Sequence, residues 1–191
     1  MKIRSWLVVP LALLASGCGY NRIQTLDEQA ASAQSQIEVQ LQRRADLIPN
    51  LVATVKGYAQ HEEEVFNTVA EARSRLLNAV QSKDPEQMAN ADQQMTGALG
   101  RLLAISENYP NLKADENFLR LQDELTGTEN RVAVARSDYN DAVQTYNAYI
   151  RTFPAVLTAK MFGSKSRKYF QATEQAQTAV PKVDFSKPDS K

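Results

Sequence analysis

The sequence predicts an all-α fold: an up-and-down four-helix bundle with two long helices, about 25–59 and 115–153, and two shorter ones, about 62–81 and 85–108. Three observations carry that expectation. From Phe118 to Phe153, residues Phe118, Leu121, Leu125, Thr128, Val132, Ala135, Tyr139, Ala142, Tyr146, Tyr149 and Phe153 step by three and four, and only Thr128 is polar. Such a stripe belongs to a long helix packed at a shallow angle on others. The middle of the chain is rich in Ala, Gln, Leu, Glu and Arg, which favour helix, while most of the seven Gly and seven Pro sit near proposed segment ends. No stretch shows the strict alternation of a half-buried strand. A one-sided helix of roughly 54 Å, at about 1.5 Å per residue, needs cover of comparable length, and the rest of the chain has to supply it.

The first residues are not part of that body. Lys2 and Arg4 precede an apolar run, Trp6–Leu14, broken only by Pro10, and Ala15-Ser16-Gly17-Cys18 follows. The run is shorter than the about 20 apolar residues that span a bilayer, and its layout is that of a secretory signal. A lone Cys after small residues resembles a bacterial lipoprotein signal, cut before Cys18 once its sulfur carries a diacylglycerol. Ala15 stands where such signals usually carry Leu, with Leu14 one step earlier. The alternatives are an ordinary cleaved signal or an uncleaved anchor; a free thiol in an oxidising compartment argues for lipidation. Two or three acyl chains, at about 0.8 kcal/mol per buried methylene, would hold the protein firmly. Gly19 provides no acidic residue for inner-membrane retention, so the outer membrane is expected over the inner, with the protein facing the periplasm. The expected division is 1–17 signal, 18–24 tether, 25–153 bundle, 154–180 short helical or irregular extension, and 181–191 disordered tail.

Within the bundle, Thr25-Leu26-Asp27-Glu28 reads as a capping box opening the first long helix. Its stripe continues in phase past Pro49, so a kink near Ala45–Pro49 is expected rather than a break. Gly57 and Gln60-His61-Glu62 mark the next turn. Val65 to Val80 carries the second helix. Asp84-Pro85 ends one segment and starts another, with Asp84 as N-cap and Pro85 at the first helical position. Tyr109-Pro110 closes the third helix. Asp115 caps the fourth and Pro154 stops it. Ala155–Met161 is expected to make two helical turns broken at Gly163-Ser164, and Tyr169-Phe170 to fold back on the body.

Several phrases together are similar to one family. They are Arg44-Ala45-Asp46-Leu47-Ile48-Pro49-Asn50-Leu51-Val52, Val55-Lys56-Gly57-Tyr58-Ala59, Ala72-Arg73, Glu107-Asn108-Tyr109-Pro110-Asn111-Leu112-Lys113, Glu129-Asn130, Ala135-Arg136, Tyr139-Asn140, Tyr146-Asn147 and Phe153-Pro154. Their order and spacing, from about Tyr20 to Gly163, resemble the LemA family of bacterial envelope proteins. The resemblance implies a four-helix bundle held to a membrane at its N-terminus. Members commonly use a transmembrane segment there, where this chain has a lipoprotein-like signal. It implies no agreed enzymatic activity and supplies no catalytic residues.

The chemistry-bearing residues point the same way. Lys plus Arg and Asp plus Glu are both 22, a balance unlike that of a general nucleic-acid binder. With one His and one Cys, a zinc site, a Cys-His nucleophile and an internal disulfide all lack residues. No cofactor is expected. His61-Glu62 reads as a turn at a helix start. A hydrolase would have to use carboxylates such as Glu62 and Glu129, without a convergent acid-base pair. Arg43, Arg44 and Arg136 read as solvated or intramolecular partners. Tyr139-Asn140 and Tyr146-Asn147 recur at seven residues: either core tyrosines flanked by seam amides, or a polar ladder in which Asn140 and Asn147 bind a partner helix or peptide. Because a four-helix chain enters and leaves at one end, Lys160, Lys165, Arg167 and Lys168 are expected on the membrane side, against anionic headgroups or simply solvated. The expected function is a scaffold or adaptor for an unidentified envelope protein. A peptide or small-ligand carrier with a groove between the long helices is the alternative, and self-association the minority reading.

Overall fold

The computed structural model describes residues 8–172, with side chains from residue 19 onward. Its elements are α1 (Val8–Lys56), α2 (Glu63–Ser82), α3 (Pro85–Ile105), a 3-10 turn (Ser106–Asn108), α4 (Pro110–Lys113), α5 (Glu116–Tyr149) and α6 (Ala155–Met161). Among the described residues there is no strand. The expected signal start at residues 1–7 and the tail 181–191 lie outside the described residues, as does the side chain of Cys18.

The two long helices run antiparallel. Near one end Tyr58, just past α1, donates its hydroxyl to Asp115 Oδ2 at 2.9 Å. The same carboxylate caps α5 by accepting Phe118 N–H at 2.9 Å, as its sequence position predicts. Near the other end, Ile23 and Leu26 of α1 pack with Tyr146, Ile150 and Ala159 in a small core of their own. α2 returns along α1, with Lys56 Nζ lying 5.1 Å over the Phe66 ring and Gln34 Nε2 reaching Lys83 O at 2.9 Å. α3 pairs with α2 and begins as expected, Asp84 accepting the N–H groups of Glu86 and Gln87. The main core, including Leu41, Ile48, Leu51, Leu76, Met95, Leu102 and Phe118, fills the space among these four helices. The cover is therefore unequal: α2 and α3 sheathe one part of the long pair, while α6 lies on the other.

Three expectations are corrected. α1 does not start at Thr25; the helix is continuous from Val8, so the expected tether 18–24 is helical. Thr25 Oγ1 instead donates to Asn21 O at 2.9 Å, one turn back inside the helix. The first helix also ends at Lys56, a few residues early, and α5 ends at Tyr149, short of Phe153. A residue before proline is pushed out of the α region, and the chain turns over 150–154. Phe153 is consequently 81 % exposed. The buried stripe also slides after Tyr139, from Ala142 and Tyr149 to Val143, Asn147 and Ile150, because that part of α5 is covered from a new direction by residues 164–172.

α1 continues through Pro49 without a break. Proline has no N–H to offer the carbonyl four residues back, which is that of Ala45, itself fully buried. The orphan is met from the neighbouring helix: Arg73 Nε of α2 donates to Ala45 O at 2.8 Å. Thr128, the one polar residue of the α5 stripe, is fully buried too and satisfies itself by donating to Leu125 O at 2.7 Å.

Candidate functional site

The Tyr-Asn repeat of α5 holds the chain's own C-terminal segment. Residues 164–172 leave the left-handed Gly163 (φ +70°) and run along α5 without helix or ladder. Asn147 accepts Arg167 N–H at Oδ1 and donates from Nδ2 to Arg167 O, both at 2.9 Å. Asn140 repeats the pattern on Phe170, at 2.9 and 3.4 Å. Tyr146 and Tyr139 donate their hydroxyls to Lys165 O and Lys168 O at 3.1 and 2.8 Å. Burial holds both phenols above their ordinary range, so both remain donors. An amide side chain that pairs with both backbone groups of one residue imitates a neighbouring strand. The seven-residue spacing matches the helix repeat, two turns of about 10.5 Å, to three extended residues at roughly 3.3 Å each. The strap is then locked by side chains: Phe170 is 1 % exposed in the main core.

Arg167 and Lys168 fasten the same strap. Arg167 Nε meets Asp27 Oδ1 of α1 at 2.7 Å. Lys168 Nζ meets Asp84 Oδ2 at 2.8 Å and Glu86 Oε2 at 3.6 Å, at the head of α3. The hydrogen bond with Lys168 holds the Asp84 carboxyl below its usual range and raises the ammonium of Lys168. Lys160 and Lys165 are exposed and make no ion pair among the described residues. The four basic residues expected on one membrane-facing group thus divide into two that clasp the fold and two that stand free.

A polar crevice of about 580 Å³ lies between α3, α5 and the strap, with Asp92, Thr96, Glu129 and Arg136 in its lining. Beneath it Arg44, only 3 % exposed, reaches Asp92 Oδ1 at 2.6 Å and Thr96 Oγ1 at 3.1 Å. Its second carboxylate, Glu129, is 3.9 Å away, and its Nε finds no acceptor. Burial nonetheless pushes the Asp92 carboxyl above its ordinary value, outweighing Arg44. The sequence marks Arg44 as an intramolecular partner but gives no sign of Asp92, which is forty-eight residues away on another helix. Glu62 stands at the head of α2 and Glu129 midway along α5, and His61 lies exposed in the α1–α2 turn. Among the described residues no His, Cys, Asp and Glu group could hold a metal.

Two outer surfaces remain. An open groove of about 680 Å³ runs between α1 and α5, lined by amides such as Gln36 and Asn130 around Ala33, Val134 and Ala135. At the α6 end, Phe153, Leu157, Met161 and Phe162 are 81 %, 58 %, 79 % and 59 % exposed. Among the described residues no helix is long and apolar enough to cross a membrane.

The polar constellations described pair with the chain's own segments: the Tyr-Asn repeat with the strap, and Arg44 with Asp92 and Thr96. The chain belongs to the LemA family: the family model matches residues 33–185, strap included. It is 28 % identical over 184 residues to the magnetosome protein MamQ 2 of Paramagnetospirillum magneticum, covering 84 % of this chain and 68 % of that protein. The magnetosome protein MamQ of Magnetospirillum gryphiswaldense is 27 % identical over the same shares. A protein LemA of Metamycoplasma hominis is 25 % identical over 155 residues, 81 % of this chain and 69 % of its own.

Proposed function

We propose that this protein is a membrane-tethered scaffold of the cell envelope, an up-and-down bundle of four principal helices that binds a partner protein and performs no chemistry. Membership of the LemA family supports the envelope setting. The observation that carries the scaffold reading is α1 itself, which is already helical at Cys18 and runs unbroken through the core to Lys56. A body mounted on an unbroken helix takes a fixed stance on whatever holds its N-terminus, where a flexible tether would let it swing. In this reading Cys18 carries the lipid, the body faces the periplasm, and the outer membrane is its site. Lys160 and Lys165 rest toward the headgroups, while Arg167 and Lys168 act inward. Asn140 and Asn147 engage an outside peptide only where the strap has left, so the partner docks as a helix in the α1–α5 groove, over Val134, which is 62 % exposed.

The openness of that groove also keeps the carrier reading in view, with a peptide rather than a folded partner as occupant. A photo-crosslinker at Val134 in living cells distinguishes the two. A single protein adduct supports the scaffold, a spread of short peptides supports the carrier, and no adduct at all contradicts both. Labelled palmitate should enter the intact chain and not Cys18→Ala; label in neither refutes the lipid anchor.

A further inference from the structure

Leu157 and Met161 stand one turn apart on α6, with Lys160 between them, on the face turned away from the body. The inward face carries Ala155 and Ala159, both 3 % exposed. Packing a soluble body would put the large residues in and the small ones out. Here the order is reversed, and Phe153 and Phe162 extend the outward apolar surface at either end of the helix. Single exposed apolar residues need no explanation, but a contiguous set marks a contact surface. The set is held stiffly, because Ser164 N–H bonds Ala159 O at 2.9 Å and Gly163 N–H bonds Lys160 O at 3.4 Å, closing α6 around the left-handed Gly163.

Arg167 and Lys168 are paired with Asp27, Asp84 and Glu86, but Lys160 and Lys165 beside the patch make no ion pair among the described residues. Residues 142–173 contain no Asp or Glu and carry Arg151, Lys160, Lys165, Arg167 and Lys168. Residues 19–26 contain none either and carry Arg22. The fold brings these two acid-free segments together: Ile23 and Leu26 pack on Ile150 and Ala159. Tyr20 and Phe162 have ring centroids 4.6 Å apart. Gly19 is so near that a Cβ there would sit 3.4 Å from Thr158 Oγ1. The patch therefore abuts the residue next to Cys18, the proposed lipid site.

We propose that the α6 end is a membrane-insertion surface, in which Phe153, Leu157, Met161 and Phe162 enter the acyl boundary of an anionic bilayer while Lys160 and Lys165 meet its phosphates. The proposal rests on the membrane-tethered reading and adds a second, independent attachment to it. Apolar side chains flanked by cations are the composition of interfacial anchors, and free lysines near an anionic surface strengthen such contacts. A second copy of the chain is a poorer occupant, since a stable complex engages about 20–30 residues a side and α6 has 7.

The test uses the full chain in vesicles of phosphatidylcholine and phosphatidylglycerol, with Trp6→Phe removing the one native tryptophan. Reporters are Leu157→Trp on α6 and Val39→Trp on α1, about 30 Å along the helix from Gly19. Brominated lipid should quench the Leu157→Trp reporter by more than half and leave the Val39→Trp reporter within a tenth of its value. In a Cys18→Ala chain the Leu157→Trp quenching should persist, and Lys160→Glu with Lys165→Glu should weaken vesicle binding at least tenfold. Quenching without palmitate on the intact chain supports the surface and removes the anchor reading. Palmitate and co-flotation without quenching removes the surface and leaves the anchor. An unquenched reporter with concentration-dependent dimers assigns the patch to a second copy and overturns the proposal. A chain that floats with no vesicle overturns both.

Discussion

Pro49 and Arg73 should be energetically coupled although neither side chain needs to touch the other. Proline deprives Ala45 O of its helical donor, and Arg73 Nε replaces it at 2.8 Å in a buried setting. Arg73→Met keeps most of the stem's packing and leaves that carbonyl bare. A hydrogen bond to a charged group contributes about 1.5–3 kcal/mol, and a bare buried acceptor carries a desolvation penalty of similar size. The single variant should therefore lose about 2 kcal/mol, or roughly 4–8 °C in Tm for a chain of this length. In a Pro49→Ala background the amide of residue 49 can bond Ala45 O, and Arg73→Met should then cost about 0.5 kcal/mol. Urea denaturation of the four proteins, at constant slope, gives a coupling energy of about 1.5 kcal/mol. Equal losses from Arg73→Met in both backgrounds would show that the arginine acts by packing or charge alone, and the orphan-carbonyl account would be wrong.

Four further outcomes follow from the same structure. Arg44→Met strands the Asp92 carboxylate and should cost about 3–5 kcal/mol at pH 7. Burial already holds that folded pKa above its unfolded value, so the penalty exists at high pH and fades as pH falls through the folded pKa; thermal melts of variant and parent should converge toward acid. Asn147→Ala removes two bonds of about 1 kcal/mol each, so amide exchange at 165–168 should quicken about 30-fold, and unchanged exchange there would contradict the ladder. The Asp84–Lys168 clasp should hold the strap between two limbs. Asp84 has a depressed folded pKa, so its share is present above about pH 3.9 and lost as pH falls through the folded value. The raised Lys168 loses its share as pH rises through its own folded pKa. Lys168→Met should flatten both limbs in limited proteolysis of the strap. Lys83 sits at φ 56° as the C-cap of α2, where a non-Gly residue carries about 1 kcal/mol of strain, so Lys83→Gly should raise the urea midpoint.

What the sequence made legible was whatever depends on near neighbours. The caps at Asp84 and Asp115, the stripe of α5 as far as Tyr139 and the two turns of α6 all follow from residues within one or two turns of each other. Its failures have a common cause. Thr25 has the pattern of a helix start, yet α1 runs through it, because a cap signal states only that a helix can begin there. Phe153 sits in heptad register but emerges into solvent, since Pro154 ends the geometry that gives the register meaning. Asp92 carries no local mark at all; its role exists only because α3 crosses beside Arg44. The same holds for Asn140 and Asn147. Their seven-residue recurrence announces a polar row on one face of α5, but a row of amides satisfies any extended backbone, and only the fold shows that residues 165–170 lie against it. Occupying the row internally has a consequence for function. The strap buries Phe170, ties Asp27 of α1 to α5, and adds cover that α2 and α3 are too short to give, so the α6 end is braced by packing and hydrogen bonds. Such bracing suits the proposed insertion surface, because Leu157 and Met161 stay outward only while α6 keeps Ala155 and Ala159 against the body.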